Sequence, residues 1–99
     1  MVTSIRSLVT MPGKVFEYLS LAKEIQGIAK RATGAEIVLV TAVGGDPSTV
    51  GFMVQWGSLG DFEGGMAKLM ADADYRAALK KSEHLIVPGS VRDQIWRHV

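Results

Sequence analysis

The side chains that could bind or transform a ligand are few, and most are polar residues inside apolar stretches. They are Arg6, Glu36, Gln55, His84, Arg92, Gln94 and Trp96. Two arginines with a carboxylate and amide side chains could hold an anionic or quinone-like ligand, because a guanidinium presents a fixed fork of donors to paired oxygens. The alternative is that these residues end strands and are solvated or ion-paired, as long charged side chains commonly are.

The histidines give little support for catalysis or metal binding. His84 follows two lysines near the end of a predicted helix, where the helix dipole favours an exposed imidazolium. Ser82 and Glu83 adjoin it in sequence but point elsewhere around a helix, so no Ser-His-acid triad is predicted. His98, one residue from the chain end, has no ligand spacing to a carboxylate. We predict no metal and no cofactor.

Composition narrows the class of protein. The 99 residues, 47% of them hydrophobic, predict one globular domain over residues 1–99. The net charge is +1 with scattered charges, which does not favour nucleic-acid binding. The chain contains no Cys, no apolar run of membrane-span length and no secretory signal pattern, so a cytoplasmic protein without membrane contact is expected.

Hydrophobic periodicity predicts alternating strands and helices. The predicted elements are a strand over 3–11, a helix over 14–33, a hairpin of strands over 35–43 and 49–57, a helical region over 59–81 and a strand over 91–99. Lys30, Arg31 and Gly34 indicate the end of the first helix. Ser58 begins a capping-box pattern, and the Asp residues in 71–74 offer a second N-cap, so the second helical region is expected to kink or break there. The fold class is α+β, in ferredoxin-like β-α-β-β-α-β order.

Two helices cover only one face of a four-stranded sheet, which leaves the other face open. Both faces are largely apolar, so we predict a homodimer in which two open faces meet. The residues assigned to the helix-covered face are Ile5, Ile37, Phe52, Val54, Trp56, Val91 and Ile95. Alternation then sends Arg6, Glu36, Gln55, Arg92, Gln94 and Trp96 to the open face, toward the interior of the dimer.

The chain resembles the dimeric α+β barrel superfamily, including small antibiotic-biosynthesis-monooxygenase-like, NIPSNAP-like and stress-responsive barrel proteins. The resemblance covers the whole chain and rests on the element order, on the strand and Ser-capped helix of 51–59, on Asp72-Ala73-Asp74-Tyr75 and on the final strand after Pro88-Gly89. It implies two sheets facing each other around a central cavity. Several members of the superfamily place a catalytic or haem-ligating His near the position of His84.

Two functional hypotheses follow. One is a non-catalytic binding or interaction module whose central cavity is filled or small. The alternative is a cofactor-independent monooxygenase-like or isomerase-like enzyme that acts on a small aromatic or apolar metabolite, with Arg6, Arg92, Gln55 and His84 positioning or protonating it. Haem-degrading members of the superfamily use an Asn, a Trp and a His, and this chain has no Asn, so haem degradation is not expected.

Overall fold

The structure is a computed structural model that describes residues 1–99. Its elements are β1 (Val2–Val9), α1 (Val15–Thr33), β2 (Ile37–Thr41), β3 (Thr49–Trp56), α2 (Leu59–Ala71), α3 (Ala73–Ser82) and β4 (Arg92–Arg97), with a 3-10 turn at Glu83–Leu85. The strands form one antiparallel sheet in the order β2-β3-β1-β4. The predicted ferredoxin-like order is confirmed, with the second helical region divided into two helices.

Local signals fix the helix ends. Gly34 follows α1 with a φ of 75°, and its N–H donates to the carbonyl oxygen of Lys30. The Ser58 hydroxyl accepts a hydrogen bond from the backbone N–H of Asp61 at the start of α2. The Asp72 carboxylate accepts one from the backbone N–H of Tyr75, so it caps α3 where the chain leaves α2. The predicted break in the second helical region therefore lies at Asp72.

The face assignment was right for β3 and wrong for β1. Leu8 pairs with Val50 and Val2 with Trp56, and all four residues are buried on the helix-covered face. Even-numbered residues of β1, including Arg6, therefore face the helices, whereas Ile5 lies on the open face. The cause is that β1 is central and carries apolar residues at both parities. Alternation separates such residues into two sets but does not say which set the helices cover.

The helices leave part of the sheet uncovered. α1 buries Tyr18, Leu21, Ala22, Ile25 and Ala29 against the sheet and its neighbours. All six residues of β4 are exposed, so this edge strand is covered on neither face. On the open face, the side chains of Val38 and Trp96 are each 57% exposed. No helix combines the length and apolar character needed to cross a membrane.

Candidate ligand site between sheet and helices

A cavity of about 480 Å³ lies between the sheet and the helices. Strands β1 and β3 form its floor, all three helices contribute to its roof, and 18 of its 24 lining residues are hydrophobic. Val91 and Ile95, beside and within β4, line it and are nearly half exposed, so they form its rim. This volume and apolar lining are typical of small-molecule sites. The cavity lies on the opposite side of the sheet from the open face.

Trp56 fixes one wall of the cavity. Its indole N–H donates to the Ser4 hydroxyl at 3.0 Å, and its ring meets Phe62 edge-on with 5.9 Å between ring centroids. Helix α2 approaches this ring at Gly65, where an added Cβ would lie 2.5 Å from two atoms of the indole. The close packing of α2 on Trp56 therefore requires glycine at position 65.

Arg6 and Asp93 form the charged end of the cavity. They lie opposite each other in the β1–β4 register, and both line the cavity. The Nε and Nη2 of Arg6 donate to the two carboxylate oxygens of Asp93 at 2.7 and 2.8 Å. These hydrogen bonds are the main reason that the pKa of Arg6 is raised and the pKa of Asp93 is lowered. Both side chains are partly exposed, so solvent screens the pair and its contribution to stability is small.

The charged end still has hydrogen-bond donors to offer a ligand. A guanidinium carries five N–H groups, and Nη1 of Arg6 donates to no protein acceptor. Tyr18 packs edge-on against Phe52, which pairs directly with Arg6 in the sheet. The buried Tyr18 makes no side-chain hydrogen bond within the protein, and burial raises the pKa of its hydroxyl to about 12. Tyr18 therefore remains a protonated donor at neutral pH.

Two of the seven residues singled out from the sequence border this cavity. They are Arg6, at its charged end, and Gln94, which borders the cavity within β4 although its register partner Ile5 lies on the open face. Arg6 reaches the cavity on the helix-covered face, and not on the open face as expected.

The other five candidates lie elsewhere. Glu36 precedes β2, pairs with Lys30 at the end of α1 and does not line the cavity, which fits the alternative that it is an ion-paired residue at a strand end. Gln55 and Trp96 are exposed on the open face. Arg92 is exposed and donates to backbone carbonyl oxygens in the turn before β4. His84 is exposed in the 3-10 turn and does not line the cavity.

Three cavity residues were not identified from the sequence. Tyr18 and Tyr75 follow helical spacing and look like ordinary core residues, since a core and a cavity wall have the same pattern. One feature of the sequence could have identified Asp93. It is an acidic residue two positions before Ile95 in the last strand, so the two side chains share a face of the sheet. Only the β1–β4 register, however, places it opposite Arg6. No group of three or more His, Asp or Glu side chains is arranged to hold a metal ion.

Comparisons with solved structures agree with this architecture. A NIPSNAP-family protein from Agrobacterium tumefaciens is 27% identical, with a TM-score of 0.81, and the match covers 99% of this chain and 92% of that one. An uncharacterised NIPSNAP domain protein from Burkholderia xenovorans is 18% identical, with a TM-score of 0.86 over 100% and 95% of the two chains. The chain shares the ferredoxin-like α+β fold of NIPSNAP-family proteins.

The same fold extends to a second group of proteins. A proposed antibiotic biosynthesis monooxygenase from Deinococcus radiodurans is 16% identical, with a TM-score of 0.77 over 100% of this chain and 93% of that one. The resemblance to NIPSNAP-like and monooxygenase-like proteins is therefore confirmed at the level of the fold. A second NIPSNAP-family protein from A. tumefaciens, 25% identical with a TM-score of 0.83, is described as having unknown function. No protein-family model and no curated protein matches the chain.

Proposed function

We propose that this protein is a non-catalytic module that binds a small, mostly apolar molecule between its sheet and its helices. The observation that carries the proposal is the 480 Å³ cavity with apolar walls and a single charged end at Arg6 and Asp93. Apolar walls supply affinity through burial, and a few polar groups orient the ligand. The unpaired Tyr18 hydroxyl and the free N–H groups of Arg6 would orient it here.

Energy transfer from tryptophan to a neutral fluorescent probe tests this binding. Trp56 lines the cavity and Trp96 lies on the open face, so a Trp96→Phe variant leaves only the cavity tryptophan as donor. We expect N-phenyl-1-naphthylamine to bind that variant saturably and to accept energy from Trp56. A matched Trp56→Phe variant reports a probe bound near Trp96. Transfer from Trp96 alone, or no saturable binding to the unmodified chain, would contradict the proposal.

The second part of the proposal is a homodimer formed through the open faces. It is supported by the exposed Val38 and Trp96 on that face, by the uncovered β4 and by the resemblance to dimeric barrels. A net charge of +1 adds little repulsion between two copies. Light scattering at micromolar concentration should give twice the 10.7 kDa mass of the chain.

A cytoplasmic location remains part of the proposal, and fractionation of cells that produce the tagged chain checks it.

The groups in the cavity favour binding over acid–base catalysis. A general base works best with a pKa near the working pH. The pKa of Asp93 is lowered by Arg6, which makes its carboxylate a weaker base, and the pKa of Tyr18 is raised to about 12, which keeps its hydroxyl protonated. The enzyme alternative is thus supported by the fold of the monooxygenase-like neighbours and by no group in this cavity.

A further inference from the structure

The charges around the cavity cancel. Arg6 and Asp93 are the only charged residues among those that line it. Both carboxylate oxygens of Asp93 accept hydrogen bonds from Arg6, so the pair is neutral as a unit. A bound anion would gain attraction from Arg6 and meet repulsion from Asp93 at a similar distance, while losing its hydration to apolar walls. An anion therefore gains no net electrostatic stabilisation in this cavity.

The hydrogen-bonding capacity that remains at this end is mainly donor capacity. Nη1 of Arg6 has no acceptor in the protein, the Tyr18 hydroxyl has no partner, and Tyr75 lines the same cavity. Each carboxylate oxygen of Asp93 already accepts one hydrogen bond from Arg6, which reduces its capacity to accept another from a ligand. A ligand with an acceptor oxygen would satisfy these donors, and a neutral carbonyl oxygen does so without the cost of burying a charge.

We propose that Asp93 is a specificity-determining residue that makes the cavity select a neutral carbonyl compound over the corresponding carboxylate. The ligand's apolar part lies against Phe52, Val54 and Trp56, and its carbonyl oxygen accepts hydrogen bonds from Arg6 and Tyr18. Asp93 acts through Arg6, because it neutralises the guanidinium and holds its orientation without itself binding the ligand. The inference rests on the proposed binding function, since it concerns which ligand the same cavity prefers.

Three naphthalene derivatives of nearly equal shape form the test. They are 2-acetylnaphthalene as the neutral carbonyl, 2-naphthoate as the anion and 2-isopropenylnaphthalene as the hydrocarbon, each measured by equilibrium dialysis against the full chain at pH 7.5. We expect the ketone to bind about tenfold more tightly than the hydrocarbon, the gain expected from one or two net hydrogen bonds. We also expect it to bind about tenfold more tightly than the carboxylate, which must lose its hydration without a net electrostatic gain. If none of the three binds, the proposed function fails together with this inference. If the hydrocarbon binds as tightly as the ketone, or the carboxylate binds best, only this inference fails.

Asp93→Asn provides the decisive variant. Removing the neutralising charge leaves Arg6 with an unbalanced positive charge, so we expect the preference for ketone over carboxylate to invert. Glu36→Gln is the matched control, because it removes the same charge from another ion pair that lies outside the cavity. It should leave all three affinities unchanged. An unaltered ratio of ketone to carboxylate affinity in Asp93→Asn would overturn the assignment of Asp93.

A second variant tests the donor without changing any charge. Tyr18→Phe should weaken ketone binding about fivefold and leave hydrocarbon binding unchanged, because only the ketone uses the hydroxyl. This variant keeps the test decisive if Asp93→Asn disturbs the edge strand. Equal losses for ketone and hydrocarbon would indicate altered packing, and they would contradict a positioning role for the Tyr18 hydroxyl.

Discussion

Arg6 is tolerated on the helix-covered face because its surroundings provide what a charged side chain needs. Its side chain is 37% exposed, which keeps contact with water at the cavity end, and Asp93 supplies two close acceptors. Without that carboxylate, the guanidinium would lose its only protein acceptors beside an apolar cavity. The arginine thus keeps N–H groups without protein acceptors at the end of the cavity at a modest cost in stability.

The raised pKa of Tyr18 predicts a change in stability at high pH. The pKa of Tyr18 is raised from 10.0 to about 12 in the folded protein, chiefly by burial. Above pH 10 the unfolded chain therefore releases this proton before the folded one does, and stability falls as the pH rises from 10 toward 12. Urea unfolding at a series of pH values should show a steeper decline for the unmodified chain than for Tyr18→Phe. Parallel declines would contradict a buried Tyr18.

The sequence identified Arg6 as a candidate site residue, but it did not identify Asp93 or the tyrosines that line the cavity with it. Arg6 stands out because it is a charge inside an apolar strand, which is a local signal. Asp93 is 87 residues away, and only the β1–β4 register brings it opposite Arg6. The buried Tyr18 and Tyr75 lie on helix faces with the ordinary spacing of core residues. Periodicity does not reveal that this interior contains a cavity.

At the scale of elements, α2 is positioned by one tight contact with the sheet. Gly65 is buried beneath the Trp56 ring, and this contact sets how closely α2 lies over β3. Gly64, the preceding residue of the same helix, has open space where its Cβ would be. Packing therefore requires glycine at position 65 but not at position 64, and substitution distinguishes the two positions.

We expect Gly65→Ala to destabilise the protein by about 1–3 kcal/mol, the usual cost of forcing extra volume into a packed interior. Gly64→Ala should stabilise it by up to about 1 kcal/mol, since alanine is the better helix former and nothing opposes the methyl group. Thermal and urea unfolding of both variants measure the difference. Two stabilising substitutions would mean that Trp56 yields easily and that α2 is not held by this contact.

The elements themselves were largely predictable because their signals are local. Gly34 ends α1 where the sequence indicated, and Asp72 caps α3 within the stretch 71–74 in which a second N-cap was expected. The strand faces were less predictable, because the side of β1 that meets the helices depends on pairing with β3 and on helix placement. β4 is shorter than expected, since Val91 precedes it and only Arg92–Arg97 pair with β1.

At the scale of the whole molecule, the sheet divides the protein into a helix-covered half with the cavity and an open half with exposed apolar side chains. Val38 and Val40 of β2 and Trp96 of β4 are all exposed on the open face. Exposed apolar side chains on a sheet face that no helix covers favour association. If two open faces meet, a change there should alter the assembly and leave the cavity intact, because the two lie on opposite sides of the sheet.

Substituting one exposed aromatic residue on each side of the molecule tests this arrangement. Trp96→Glu places a carboxylate on the open face, where burial against a second copy would cost free energy, so we expect light scattering to show a mass halved to that of the single chain. Phe16→Glu is the matched control, because Phe16 is 81% exposed on α1, in the helix layer. It makes the same charge change to an exposed aromatic residue and should leave the doubled mass unaltered. A single-chain mass for the unmodified protein would contradict the dimer itself. A doubled mass in Trp96→Glu would instead move the interface away from Trp96, because two buried carboxylates could not remain in it without partners.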